Sequence, residues 1–430
     1  MQNQTLLMKT RSLIYQSVWR YTLATLFVVS AMQHPSYAQS QALAEQSAYS
    51  LSDLLQLSKA GNLGLQGARA QLLATQAGSQ TARAYPNPEI EWLRNQRQVT
   101  GTALPGNGNT MSILQPIENP WLRNARIDSA DARAELGKQI YRQNEVAALA
   151  EVKISFYDVL KRQEELRATR EDALLAEQIR ERIKVRVNTG EGARFDLVRA
   201  DAEVAVAQNQ RRTAELRLSQ AKTKLRIAVG PGISDQFEIV GQLDPPLQPK
   251  DMQAMRELLL AQSPELRAGQ AAITAAERNA DAERQSVLPR VGVRLARESE
   301  PELRTNQIGL VIGIPLFDQR RGPVAEANAN ASRTRFEAEQ RRFTLEQTFG
   351  AAWQQYLTSL GQVQALETGI VNNAKRAVEI AEAAYRFGER GILEYLDAQR
   401  TYRSVRNELI TARYNVQLAK IELERLAGRE

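Results

Sequence analysis

The chain repeats itself at long range, and the repeat limits what it can fold into. "VNTGEGARFDLVRADAEV" at residues 187–204 and "YRFGERGILEYLDAQRTY" at 385–402 share a Gly–Glu pair, a polar break and a carboxylate ahead of an apolar helical pattern. A shift of 198 sets Gly190 on Gly388, Asp196 on Glu394 and Ala200 on Ala398, and carries "LRIAVG" (225–230) onto "LERLAG" (423–428). A shift of 199 sets "LQPIENP" (114–120) on "GIPLFDQ" (313–319), matching Pro116 to Pro315. Anchors in one order at nearly one offset define a tandem duplication of about two hundred residues per copy, far longer than a solenoid repeat. The fold is therefore expected to be built from two similar halves.

Each half has the same internal order. From Arg126 to Thr189 there is no proline and one glycine, Gly137, while Leu149, Val152, Phe156, Val159, Leu166 and Ala173 recur mostly at steps of three, four or seven. That spacing predicts a helix over 126–189, roughly 95 Å long at the α-helical rise. Ahead of it, a helix is expected over 52–84, stopped by Pro86 and Pro88, then strands over 88–99 and 109–118 around the turn-rich "TGTALPGNG". Behind it, "TGEG" breaks the helix and a second runs over 194–229. The other half repeats this with a helix over 252–285, strands over 290–296 and 306–316, a helix over 324–387, the "GERG" break and a last helix to Leu426. The units so delimited are a first repeat at 39–230, a Pro- and Gly-rich linker at 231–250 in which "FEIVGQL" could form a strand, and a second repeat at 251–430.

The strand over 306–316 places Ile308, Leu310, Ile312 and Ile314 on one face and Gln307, Gly309, Val311 and Gly313 on the other. Such alternation suits either a barrel wall between lipid and lumen or a half-buried strand in a soluble sheet. Four strands in one chain cannot close a barrel or cover their own edges. The long helices carry a broad Ala-rich stripe that they cannot bury alone. Both defects point to an oligomer, and a trimer would supply twelve strands. The helices over 52–84 and 194–229 together hold 69 residues against 64 for the helix over 126–189. Two shorter helices stacked end to end would thus run beside one long helix.

The first residues read as an export signal. Lys9, Arg11 and Arg20 precede the short apolar run Tyr21–Met32, and Ser36-Tyr37-Ala38 offers small residues for cleavage, so 1–38 is expected to be a signal peptide. Removing it lowers the formal charge from +7 to +4, too mild a balance to argue for nucleic acid as a partner. There is no cysteine, and the one histidine, His34, lies within the signal. The remaining chain lacks the imidazole and thiolate on which Ser-His-Asp and Cys-His catalysis and most zinc and copper sites depend. No enzyme activity, no cofactor and no bound metal are expected.

At this point the chain resembles the TolC family of outer-membrane efflux proteins. The likeness rests on the duplication, the strand pair before each long helix, and the ending "GERGILEYLDAQRTYRSVRNELITARYNVQLAKIELERLAG". "ARAYPNPEIEW" and "LQPIENPWLRNARIDSADA" look like its CzcC-like cation-efflux branch, with "NPWLRN" where that branch reads "LGGKR". The resemblance implies a mainly α fold with a small β part, namely a homotrimeric duct. Its 12-stranded β-barrel, four strands per chain, would lie in outer-membrane lipid and continue as a long periplasmic α-helical barrel. The implied partners are a periplasmic adaptor (membrane fusion protein) and an inner-membrane RND pump in a tripartite efflux system. The cargo implied is divalent heavy-metal cations such as cobalt, zinc, cadmium or nickel. Drugs, solvents or type I secreted polypeptides would use the same duct, and a soluble periplasmic scaffold or adaptor is the reading from another class.

The resemblance also carries over by residue. Glu394 and Asp397 match positions whose threefold repetition rings the periplasmic entrance with carboxylates, which would attract cations. Their placement alone equally fits the charging of a helix's first turn. Arg390 and Tyr385 match positions linking neighbouring coils in a closed tip, and Asp196 matches the arginine's acidic partner. Gly190, Gly192, Gly388 and Gly391 form the tip turns, where the chain must reverse between helices. Trp92 and Trp121, at the ends of predicted strands, fit membrane-interface aromatics or ordinary packing.

Overall fold

The computed structural model describes residues 48–97, 106–244, 251–300 and 302–429, so the expected signal peptide and part of the linker lie outside the described residues. The first half comprises β1 (Ala48–Tyr49), α1 (Leu51–Gly61), α2 (Leu63–Arg83), β2 (Glu89–Arg97), β3 (Gly106–Ile117), α3 (Pro120–Asn188) and α4 (Arg194–Val229). After β4 (Glu238–Ile239), the second half comprises α5 (Met252–Gln262), α6 (Pro264–Gln285), β5 (Arg290–Ser299), β6 (Arg304–Gly313), α7 (Arg321–Ala365), a π-helical turn (Leu366–Ile370), α8 (Val371–Arg386) and α9 (Ile392–Leu426).

The differences from the sequence reading have local causes. The helix expected over 52–84 is broken at Asn62, whose backbone is extended and whose Oδ1 accepts from the Leu65 amide at 3.0 Å, capping α2. The helix expected over 252–285 is broken at Ser263, whose backbone leaves the helical region at ψ 123°, because Pro264 opens α6 at a position where a missing N–H costs nothing. By the same logic α3 begins at Pro120 rather than Arg126, with Asn119 accepting from the Trp121 amide at 3.0 Å. The helix expected over 324–387 begins at Arg321 and is interrupted by the π turn, where Glu367 is held by Arg413 of α9 at 2.8 Å.

Helix α3, with 69 residues, is about 100 Å long and forms the spine of the first half. Helix α4 lies along its distal part and α2 along the part nearest the sheet, while α6 and α9 of the second half also pack on it. A core around Tyr49, Leu54, Val152, Phe156, Val159, Leu225 and Phe237 clamps the middle of the first half. Its counterpart gathers Leu259, Phe349, Trp353, Tyr356, Val363, Val416 and Leu426. Between the halves, the buried Asp172 of α3 accepts from Arg406 of α9 at 2.6 Å and faces Arg403 at 3.5 Å, and Lys153 meets Glu424 at 3.0 Å.

The end-to-end stacking of the short helices turns on one glycine in each half. Gly230 follows α4 at φ 101°, and a Cβ there would lie 2.8 Å from the Gly61 carbonyl oxygen, where α1 ends. Beside it Asn62 Nδ2 donates to the Ala228 carbonyl at 2.7 Å. In the other half Gly428 follows α9 at φ 72°, and a Cβ would lie 2.7 Å from Pro264 Cδ. Gly230 and Gly428 are the two residues that a shift of 198 superposes. Gly230→Ala therefore combines a left-handed backbone penalty of about 1–2 kcal/mol with a clash against main chain. A lowered urea midpoint for Gly230→Ala, with no such loss for Gly67→Ala on the open surface of α2, is the expected outcome.

Candidate functional site: the sheet and the distal tip

The four-stranded sheet, ordered β2-β3-β5-β6, is antiparallel throughout, and β2 and β6 are its edges. Residues paired across strands share a face. One face carries Ile90, Ile113, Leu295 and Ile308 in one row, then Gln115, Val293 and Leu310, then Ile117, Val291 and Ile312. These side chains are exposed or half-exposed within one chain, Ile308 by 79%. The opposite face carries Glu91, Ser112, Ala296 and Gln307 in one row, and there Arg294 meets Glu91 at 3.6 Å. An apolar face turned outward, against a polar face whose Ser112 is buried, is the wall of a membrane barrel with a wet interior.

Trp92 does not stand at a strand end, and Trp121, just past the end of β3, belongs to a helix. Trp92 is mid-strand in β2, 72% exposed, on the apolar face where that band gives way to polar residues. Trp121 is in the first turn of α3, because Asn119-Pro120 starts the helix earlier than expected, and is 69% exposed beside the other end of the sheet. Tyr85, stacked under the Arg123 guanidinium at 4.5 Å, and Phe317, 99% exposed, flank that same end. The sequence reading missed both, although Phe317 directly follows a predicted strand and Tyr85 lies shortly before another.

About 100 Å from the sheet, the chain turns twice in the same way. After α3, Gly190 takes φ 79° and the Glu191 amide donates to the Arg186 carbonyl at 2.9 Å; after α8, Gly388 takes φ 77° and the Glu389 amide donates to Ala384 at 2.9 Å. Both are left-handed helix stops of the Schellman kind. Gly192 and Gly391 differ: neither has positive φ, and a Cβ on Gly391 would meet only Glu394 Oε2 at 3.9 Å.

The two turns are held together by an apolar cluster of Ile179, Ile183, Ala200, Ile392, Tyr395 and Leu396, with Tyr385 and Leu197 against it. Tyr385 stacks on Tyr395 with ring centroids 6.2 Å apart and planes 7° from parallel, and Arg186 lies over the Tyr385 ring at 5.3 Å. Arg182 and Glu382 join α3 to α8 at 3.3 Å. Sequence reasoning missed Tyr395, although Ile392, Tyr395, Leu396 and Gln399 form the buried stripe of α9 at helical spacing.

The residues expected at the entrance lie on the other side of that helix. Glu394 and Asp397 are exposed in the first turns of α9, and Asp196 is half-buried in the first turn of α4. Within one chain Arg390 pairs with Glu394 at 3.7 Å and forms no ion pair with Asp196. Among the described residues no three acidic groups are gathered closely enough to hold a metal ion. Burial pushes the Tyr395 phenol above the ordinary tyrosine range.

A helical bundle bearing an open, two-faced sheet at one end defines a subunit of an outer-membrane channel. A profile of the family described as "Outer membrane efflux protein" matches residues 54–231 and 255–429, and the chain belongs to that family. It is 28% identical over 380 residues to the cobalt-zinc-cadmium resistance protein CzcC of Cupriavidus metallidurans, covering 87% of this chain and 89% of that one. It is 28% identical over 320 residues to the nickel and cobalt resistance protein CnrC of the same organism, covering 66% and 70%. Among solved structures, the outer-membrane channel OprN superposes with a TM-score of 0.77 at 18% identity, covering 88% of this chain and 90% of that one. The place of action is the outer membrane.

Two outcomes follow for the tip. Gly388→Ala should cost about 1–2 kcal/mol and open residues 385–391 to proteolysis, while Gly391→Ala should leave cleavage unchanged. Because the Tyr395 phenol is raised in the folded protein, the unfolded chain loses its proton first as pH climbs. This contribution to stability is whole below about pH 10 and is lost above it. Burial also raises Tyr49, Tyr157, Tyr356 and Tyr414, so an ultraviolet titration should show several late-ionising tyrosines and one fewer in Tyr395→Phe.

Proposed function

We propose that three copies of this chain close into an exit duct for divalent heavy-metal cations, working with a periplasmic adaptor and an inner-membrane RND pump. The observation that carries the duct is the sheet, whose apolar face and two bare edges no described part of the same chain covers. Three chains supply twelve strands and a closed wall without edges. The metal cargo is supported by the likeness to CzcC and CnrC, whose names refer to cobalt, zinc, cadmium and nickel resistance.

In this reading the tip is the entrance. Threefold repetition of Glu394 and Asp397 places six carboxylates around it, and a ring of one sign concentrates cations in a narrow opening. Arg390, released from Glu394, would reach Asp196 of the first half or of a neighbouring copy. Its present pair is exposed on both sides and is worth on the order of 0–1 kcal/mol, weak enough to exchange. The duct holds no resident metal and performs no bond chemistry; selection would lie with the pump.

Growth of a strain lacking this chain on cobalt, zinc, cadmium, nickel and a panel of drugs tests the cargo. Sensitivity to the metals is expected, restored by the intact chain and only partly by Glu394→Gln/Asp397→Asn. Sensitivity confined to drugs or solvents would replace the metal cargo with that of a general efflux duct.

A further inference from the structure

The outward face of the sheet does not stay apolar to its far end. Beyond the row holding Ile90 and Ile308, the next row on that face reads Trp92, Met111, Arg297 and Asn306, and the one after it Arg94, Asn109, Ser299 and Arg304. Three arginines thus stand side by side on the lipid-facing wall, at the end remote from the helices. Arg94 and Arg304 are three strand spacings apart, about 14 Å, with Arg297 between them. All three are exposed, and none makes an ion pair among the described residues. The carboxylates of the same hairpin, Glu298 and Glu300, alternate onto the opposite, inner face, and Glu302 lies in the connecting turn.

We infer that Arg94, Arg297 and Arg304 form a docking surface for the phosphate-bearing headgroup of an outer-leaflet lipid. The apolar band runs from the row of Ile117 to that of Met111, about 20 Å along the strand. A lipid whose chains cover that band brings its headgroup level with the arginines. Guanidinium presents paired donors that match phosphate oxygens, and the span of the three matches one headgroup carrying more than one phosphate. Trp92 sits in the row between, where an amphipathic ring meets the headgroup boundary. Closure of the edge strands between copies would extend the row around the rim, since β6 with Arg304 and β2 with Arg94 are the two edges. The inference rests on the placement of the sheet in the outer membrane and is independent of the cargo.

The test uses the full chain, purified in detergent and titrated with bisphosphorylated lipid A, dephosphorylated lipid A or phosphatidylcholine, with bound lipid counted by native mass spectrometry. Wild type is expected to retain the bisphosphorylated lipid at least tenfold more tightly than Arg94→Gln/Arg297→Gln/Arg304→Gln, and to bind the other two lipids no better than that variant does. Arg294→Gln, on the inner face, is expected to match wild type. Should the triple variant fail to fold by circular dichroism, Arg304→Gln alone is expected to weaken retention about threefold. Equal retention by wild type and the arginine variants, or an equal loss in Arg294→Gln, would overturn the inference. Failure of wild type to bind any of the three lipids would overturn it together with the membrane placement, without touching the cargo.

Discussion

An antiparallel sheet of four strands, apolar outside and polar inside, cannot be left open in lipid. Every unpaired N–H and C=O on β2 and β6 would face hydrocarbon, where each costs several kcal/mol. The rest of the molecule is organised around that requirement. Duplication supplies two hairpins per chain, and the long helices that follow each hairpin place both tips at one height, about 100 Å from the membrane. The apolar clusters at mid-height and at the tip hold the halves in register, so that repetition of one chain can close both sheet and bundle.

The two halves are equivalent where geometry is demanding and different where function is expected. Gly190 and Gly388 make the same turn, and Gly230 and Gly428 the same close approach, because only glycine fits those backbones. Elsewhere at the tip the copies diverge. Leu197 corresponds to Tyr395, Val187 to Tyr385 and Gly192 to Arg390, so the second copy alone brings stacked rings and an arginine. The charged ties between halves are of a different kind. Asp172 is buried between Arg403 and Arg406, and removing one partner from such a group costs several times more than losing a surface pair. The links holding the halves are thus costly to break, while the exposed links at the tip are weak.

Much of this was legible in the chain. The long proline-free runs, the glycine turns and the alternation Ile308–Leu310–Ile312 follow from periodicity and from backbone demands acting over a few residues. What escaped depends on contacts distant in sequence or on subtle caps. Asn62 breaks a helix because Ala228 offers its side chain a carbonyl 166 residues away. The π turn at Leu366–Ile370 sits where Arg413 holds Glu367, with nothing in "LETGI" to announce it. The start of α3 is legible in Asn119-Pro120, ahead of Arg126. At the tip, Glu394 and Asp397 came from the resemblance, with only Glu394 also matching an acidic residue, Asp196, in the repeat, whereas the pairing of Arg390 with Glu394 is a side-chain contact that no pattern announces.

In the proposed duct, β2 and β6 are edges only within one chain. Hydrogen–deuterium exchange of the full chain in detergent tests this directly. Closure between copies predicts that residues 89–97 and 304–313 are protected as strongly as the interior strands at 106–117 and 290–299. Exchange of the outward-pointing amides of β2 and β6 at the rate of an open sheet edge would contradict it.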